Sequence, residues 1–180
     1  MCLKVVETNS KGGTGCTTDV VNIGHRLATR DQRTVIFGLD RQVNAEMLLN
    51  VEGGKEGVKY LEHVITDPKC VIRPASTKIV VGKKEIELKR ENLFYVPGSA
   101  EYAGFADTLA GRLNQKESVA DRLELLKVVG DRIFSVGDNV DGEKADVVLV
   151  DTPKSGPLQQ AAIACADWTI IKFRYDYMSL

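Results

Sequence analysis

Leu3–Thr18 reads LKVVETNSKGGTGCTT and joins two contrasting patterns. Residues 3–8 form a short run, rich in β-branched side chains, that predicts a buried strand. Residues 12–15 hold three glycines, which predict a tight loop because so glycine-rich a segment does not form regular structure. Apolar residues then recur at helical spacing from about residue 17 to about residue 30. The segment therefore predicts a strand, a glycine-rich loop and a helix in succession.

The rest of the chain repeats the alternation of strand and helix. Continuous apolar runs at 34–39 and 147–150 are typical of central parallel strands. This order predicts one domain over residues 1–180, with an α/β fold of three layers and a mostly parallel sheet flanked by helices. Trp168 is expected in the core. Further strands are predicted at 78–88 (a hairpin turning near Gly82), 93–96 and 168–173, and further helices at 45–49, 58–65, 100–113, 119–129 and 158–166.

Composition narrows the class of protein. The chain has 180 residues, and its net charge of -1 excludes a globally basic nucleic-acid binder. No run approaches the roughly 18 apolar residues of a membrane span, and the N-terminus lacks the apolar core of a signal peptide. The four cysteines lie far apart, without a CxxC pair, and fit reduced thiols better than disulfides or a zinc site. We expect a cytoplasmic protein.

The glycine-rich loop has the setting of a phosphate cradle. Backbone N–H groups in such a loop point inward, and the start of the following helix adds positive potential. The common pattern is G-x-x-x-x-G-K-[ST], whereas residues 10–17 read SKGGTGCT. Ser10 stands at the first glycine and Cys16 at the lysine, so this bare pattern fails at its most informative position.

A longer pattern fits better. Residues 11–18, KGGTGCTT, resemble the deviant Walker A motif K-G-G-x-G-K-T-T of the ParA/MinD family, and the closest branch is that of the ParA/Soj partition ATPases. This resemblance implies a P-loop NTPase fold, although the family normally continues beyond the equivalent of residue 180. Other family segments are matched in order by residues 35–45 (VIFGLDRQVNA), 92–104 (NLFYVPGSAEYAG), 147–153 (VVLVDTP) and 166–175 (ADWTIIKFRY).

The resemblance implies a nucleotide site for ATP and Mg²⁺ as cofactors. Its glycines would let the backbone wrap the phosphates, Thr17 would hold Mg²⁺ and Thr18 would bind the α-phosphate. Lys11 would reach across a homodimer to the partner's phosphates and would count as catalytic. The implied nucleotide-binding residues are Lys11, Gly12, Gly13, Thr14, Gly15, Cys16, Thr17 and Thr18.

Two strand-end carboxylates complete the implied site. Asp40 matches the residue that orients the attacking water, and Asp151 matches the Walker B carboxylate that holds Mg²⁺ through water. From the residues alone, each could instead cap a strand-end loop, but the carboxyl edge of a parallel sheet is where ligands bind.

Two departures from the family pattern bear on activity. Cys16 replaces the lysine that bridges the β- and γ-phosphates, and Gly38 replaces the first aspartate of D-x-D. Loss of a phosphate-clamping charge should cost roughly 3 kcal/mol of transition-state stabilisation. We therefore expect slow ATP hydrolysis or none. Cys16 is either a small residue without a chemical role or a reactive thiol whose pKa is depressed at a helix N-terminus.

The implied function is a nucleotide-dependent dimeric switch in plasmid or chromosome partitioning, with a ParB-like partner. The alternative is an inactive pseudo-ATPase that serves as a binding scaffold. Lys83–Lys84 and Lys89–Arg90 are either a solvated hairpin edge or a local patch for non-specific DNA contact. A MinD-like membrane protein would need an amphipathic C-terminal helix, which residues 178–180 do not offer. A nitrogenase iron-protein relative is set aside because neither Cys70 nor Cys165 lies in a matching segment.

Overall fold

A computed structural model of the chain describes residues 1–9, 15–40, 44–49, 73–97 and 102–172. Strands and helices alternate through these ranges, as predicted. The strands are β1 (Leu3–Asn9), β2 (Thr34–Gly38), β3 (Arg73–Val81), β4 (Lys84–Val96), β5 (Val147–Asp151) and β6 (Trp168–Lys172). The helices are α1 (Cys16–Ala28), α2 (Asn44–Leu49), α3 (Tyr102–Asn114), α4 (Val119–Phe134) and α5 (Pro157–Cys165), and a 3₁₀ turn at Ser135–Asp138 follows α4.

The described strands form one sheet in the order β3-β4-β2-β5-β1-β6. Its last five strands are parallel, and only β3 at the edge is antiparallel, pairing with β4. The central strands β2 and β5 are fully buried, which explains their continuous apolar sequences. Because β1, β5 and β2 are parallel neighbours, their carboxyl ends meet at one edge of the sheet.

Alternate residues of each strand face opposite helical layers, since side chains in a strand have a period of two. Val5 and Ile36 belong to the core shared with α1 and α2. Val6 and Phe37 belong to the core shared with α3, α4 and α5. Val6, Ile36 and Phe37 are completely buried. The predicted three-layer α/β fold is confirmed.

Two helices approach each other most closely at a glycine. A Cβ atom on Gly130 of α4 would lie 2.2 Å from the carbonyl oxygen of Ala161 in α5. Glycine is therefore required at this point of contact. The sequence predicted that this helix ends near residue 129, whereas α4 runs to Phe134. Gly130 lies within the helix, at its contact with α5, and does not end it.

Other expectations need correction. Residues 84–96 form a single strand, not a hairpin arm followed by a separate strand, because β4 pairs with β3 both before residue 90 and again at residues 94 and 95, on either side of a register shift. Trp168, expected in the core, is 68% exposed because it begins the edge strand β6. The predicted helix at 58–65 lies outside the described residues. Among the helices that are described, none combines the length and apolar character that crossing a membrane requires.

Candidate functional site

Three positions lie side by side where the central strands end. In the parallel pairing of β1 with β5, Glu7 is opposite Asp151, and in the pairing of β5 with β2, Asp151 is opposite Gly38. These positions share the α1 side of the sheet, because they lie two residues beyond Val5, Leu149 and Ile36 of that core. Gly38 therefore places no side chain beside Asp151, which is itself 3% exposed.

Asp40, the predicted water-orienting residue, lies just beyond β2. The N–H of the preceding Leu39 donates a hydrogen bond of 2.8 Å to the carbonyl oxygen of Asp151. This bond ties the loop after β2 to the end of β5, so Asp40 and Asp151 belong to the same edge. Asp40 is half-buried and lines a cavity of about 390 Å³ between these loops and α3, together with Asp107 and Lys154.

The glycine-rich segment meets this edge at the start of α1. Gly15, the N-cap residue of α1, has a φ of +82°, a left-handed conformation that favours glycine, and it has no side chain with which to cap the helix. The first turn of α1 thus brings backbone N–H groups, the donors that bind anions at helix N-termini, to this edge. Cys16 is buried, Thr17 is half-buried and Thr18 is exposed. Lys11, Gly12, Gly13 and Thr14, the other predicted nucleotide-binding residues, lie outside the described residues.

Glu7 is a buried carboxyl group near the end of β1. It is 2% exposed, and neither oxygen makes a hydrogen bond of ordinary geometry with the described residues. Burial raises the pKa of Glu7 to about 7, and Asp19 adds to the rise. The Lys172 ammonium and the Cys16 thiol oppose that rise, whereas Asp151 adds a smaller increase. Glu7 thus changes its charge near neutral pH.

Lys172 brings a cation to the same place from the neighbouring strand. It lies opposite Asn9 in the pairing of β6 with β1, and its Nζ atom is 2.5 Å from Oδ2 of Asp19 in the first turn of α1. The same Nζ atom is 3.5 Å from the point where a Cβ atom on Gly15 would lie. The hydrogen bond to Asp19 raises the pKa of Lys172, so its ammonium stays charged at neutral pH.

A side-chain network holds the ends of β1 and β5 together. The hydroxyl of Thr152 donates a hydrogen bond of 2.9 Å to the carbonyl oxygen of Glu7. The amide of Gln159 in α5 donates to the hydroxyl of Thr8 and, at 3.2 Å, to the carbonyl oxygen of Lys154. The loop after β5 is therefore anchored to the strand that leads into the glycine-rich segment.

The structure brings together the described members of the predicted site. Gly15, Cys16, Thr17, Thr18, Asp40 and Asp151 all lie at the carboxyl edge of the sheet. Sequence reasoning missed Glu7 and Lys172. The signal for each was a charged residue within or at the end of an otherwise apolar strand, where burial requires a partner or a function.

Comparisons with known proteins bear on the family of the chain. A family model described as AAA domain (AAA_31) matches residues 4–180. The chain is 27% identical over 175 residues to the sporulation initiation inhibitor protein Soj of Bacillus subtilis, covering 96% of this chain and 58% of Soj. It is 26% identical over 174 residues to the chromosome partitioning protein ParA of Myxococcus xanthus, covering 96% of this chain and 52% of that protein. The chain thus spans just over half the length of these relatives.

A solved structure supports the fold independently. The cobyrinic acid a,c-diamide synthase of Mycobacterium smegmatis, crystallised with an ATP analogue and magnesium, superposes with a TM-score of 0.71 at 18% identity. The superposition covers the whole of this chain and 63% of the synthase. At this identity the likeness concerns the fold, which is the predicted P-loop NTPase arrangement.

Proposed function

Since the chain belongs to the AAA domain family, in its ParA/MinD group, we propose that it is a ParA-like ATP-binding protein. It would act as a nucleotide-dependent dimeric switch in plasmid or chromosome partitioning, with a ParB-like partner. The observation that carries the proposal is that α1 begins at Gly15, an N-cap residue without a side chain, at the same edge of the sheet as the strand-end carboxylates Asp40 and Asp151.

The described residues fit a polyphosphate bound with Mg²⁺. The open N–H groups of α1 suit phosphate oxygens. Asp151 would hold Mg²⁺ through water, and Thr17 would present its hydroxyl to the metal. Glu7 has two buried oxygens without hydrogen bonds of ordinary geometry to the described residues, and these would accept hydrogen bonds from water molecules on the metal. Glu7 would then take over part of the role lost at Gly38.

The other assignments rest on the family pattern. Gly12, Gly13, Thr14 and Gly15 would wrap the phosphates with their backbone, and Thr18 would bind the α-phosphate. Lys11 would contact the nucleotide of the partner subunit in a homodimer. Bound ATP would supply the γ-phosphoryl group, and Asp40 would orient the water that attacks it.

Hydrolysis should be slow or absent, because Cys16 and Gly38 remove two groups that the family pattern supplies. Catalysis of phosphoryl transfer depends almost entirely on positioning and on stabilising charge. A missing cation at Cys16 therefore lowers the rate more than it disturbs the fold. The same observation favours a second candidate function, a pseudo-ATPase that keeps the fold and serves as a binding scaffold.

Binding and dimerisation distinguish these functions. Fluorescent ATP and ADP would be titrated with and without Mg²⁺, and light scattering would follow the molecular mass with each nucleotide. A switch should bind Mg·ATP at micromolar concentration and dimerise with ATP but not with ADP. A scaffold should keep one mass under all conditions. A Cys16→Lys variant serves as the control, because binding by this variant alone would mean that the site is intact but disabled at one residue.

A further inference from the structure

The ammonium of Lys172 lies beside Gly15 and Asp19, at the start of α1. It approaches from β6, which lies next to β1, whereas the lysine of the common P-loop pattern would extend from position 16 on α1 itself. Cys16 supplies no cation there. Within the described residues, Lys172 is therefore positioned to supply the charge that position 16 lacks.

The helix end by itself does not favour a cation, and it is Asp19 that holds the ammonium of Lys172 there. The N-terminus of a helix carries partial positive charge, which repels an ammonium and is already balanced by an acidic residue in the first turn, here Asp19. Lys172 is nevertheless held at this end of α1, with its side chain 26% exposed. Asp19 keeps the ammonium beside Gly15, at a point where an anionic ligand would meet it.

The charge balance shows why such a cation matters. Glu7, Asp19 and Asp151 place three carboxyl groups around the start of α1, and Lys172 interacts with the first two of them. A polyphosphate approaching three carboxylates without a cation would be repelled. Magnesium offsets part of this repulsion, and the ammonium of Lys172 offsets another part.

We propose that Lys172 is the phosphate-binding cation of this site, reaching the polyphosphate of a nucleoside triphosphate from β6 in place of a lysine at position 16. The inference rests on the proposed nucleotide site. Without ligand, the ammonium is paired with Asp19. With ligand, it donates hydrogen bonds to phosphate oxygens, and Asp19 competes for it.

Competition between Asp19 and phosphate for the ammonium of Lys172 predicts changes in ligand affinity that an ordinary ion pair would not give. If Lys172 binds phosphate, removing the lysine weakens binding, whereas removing the charge of Asp19 releases the ammonium and strengthens binding. If the two residues only stabilise the start of α1, the two substitutions should act in the same direction on both stability and binding. Part of any gain in Asp19→Asn comes from losing a negative charge, so the gain must also be measured without Lys172.

The experiment measures dissociation constants for Mg²⁺-tripolyphosphate and for fluorescent Mg·ATP by calorimetry and fluorescence. Tripolyphosphate reports on the phosphate site without any contribution from base recognition. The variants are Lys172→Gln, which keeps much of the aliphatic stem, Lys172→Arg, Asp19→Asn and the double variant Asp19→Asn/Lys172→Gln. Lys144→Ala is the matched control, because this lysine pairs with Asp138 at 3.5 Å before β5, at the opposite end of the strand from Asp151.

We expect Lys172→Gln to weaken both ligands about 10- to 100-fold, the range for one charge-assisted hydrogen bond. Lys172→Arg should stay within a few-fold of the parent chain, and Lys144→Ala should match it. Asp19→Asn should tighten binding, and this gain should shrink in the double variant. Adding Cys16→Lys to Lys172→Gln should recover the lost affinity, because it returns a cation to the loop.

Distinct results would overturn the inference. Equal binding by the parent chain and Lys172→Gln would show that the lysine does not contact phosphate. Parallel losses of binding and of melting temperature in Lys172→Gln and Asp19→Asn would reduce the pair to a structural ion pair. If neither the parent chain nor Cys16→Lys binds tripolyphosphate or ATP, the proposed nucleotide site itself fails, and the inference fails with it. Circular dichroism of each variant separates these results from a failure to fold.

Discussion

Glu7 lies directly opposite Asp151 in the pairing of β1 with β5, and both carboxyl groups are buried. Burial is the main reason why the protonated form of Glu7 is favoured, and the negative charges of Asp19 and, to a smaller extent, Asp151 add to it. Glu7 is the member of the pair whose pKa is raised to about 7. The free energy of unfolding should therefore depend on pH through this group.

The direction of that dependence follows from the raised pKa of Glu7. Below its ordinary value of 4.5 the group is protonated in both the folded and the unfolded chain, so it costs no stability. As the pH rises from there towards 7, the unfolded chain releases the proton while the folded chain retains it, and stability falls. In the absence of ligand, the free energy of unfolding of the parent chain should fall over this interval by about 3 kcal/mol more than that of Glu7→Gln.

Urea denaturation of the parent chain and Glu7→Gln at pH 5 and pH 8 would measure this difference. Comparing the two chains at each pH removes the contributions of all other titrating groups. Parallel pH dependence in both chains would mean that Glu7 ionises at its ordinary pKa despite its burial.

Gly130→Ala should destabilise the fold by about 2 kcal/mol or more, because the added methyl group would meet the carbonyl oxygen of Ala161 and force α4 away from α5. The matched control is Gly111→Ala in α3, where a Cβ atom meets nothing within 4 Å. That change should be neutral or stabilising by up to about 1 kcal/mol, since alanine favours a helix over glycine. Thermal melting of both variants tests the pair, and equal effects would contradict the close approach.

Ser118 caps the N-terminus of α4, where its Oγ atom accepts a hydrogen bond of 3.0 Å from the N–H of Asp121. Ser118→Ala should therefore cost about 1 kcal/mol. Thr108→Ala in α3 provides the control, because the hydroxyl of Thr108 only bonds back to the carbonyl oxygen of Gly104 within its own helix. A loss in Thr108→Ala as large as that in Ser118→Ala would argue against a specific capping effect.

Cys16→Lys should raise the rate of ATP hydrolysis if the remaining site is competent. Restoring one preorganised positive group at the transferred phosphate contributes roughly 3 kcal/mol, or about 100-fold in rate. Cys16→Met controls for the longer side chain without its charge and should remain at the rate of the parent chain. Phosphate release from ATP under saturating Mg²⁺ measures the rates. Equal activity of the two variants would place the defect elsewhere, with Gly38 as the next position to restore.

Much of the fold was predictable because the apolar sequences of the central strands agree with the burial of these strands in the sheet. β2 and β5 are buried on both faces, so their apolar runs leave little ambiguity. The edge strands were harder to predict. Trp168 is large and apolar like a core residue, yet it lies in β6, which pairs with β1 on one side and with no described strand on the other. Burial at an edge depends on what covers the strand, and a local sequence does not contain that information.

The candidate site, too, was predictable only in part. Gly15, Thr17, Asp40 and Asp151 were predicted because their spacing follows a known pattern. Glu7 and Lys172 were not, because their significance depends on the register of β1 with its two neighbours. A single charged residue in an apolar strand indicates that something must compensate for it, but only the three-dimensional arrangement shows which groups do so.

The long strand β4 also has a consequence for hydrogen exchange. Its residues 93–96 are bonded on both sides, to β2 and in part to β3, whereas the segment near the turn at Gly82 pairs with β3 alone. An isolated pair of strands is only marginally stable in water. Amide protons of one continuous strand should therefore exchange at two rates, fast near the turn and slow in the sheet. We therefore expect the part of this β-ribbon near Gly82 to open and close while the central sheet stays folded.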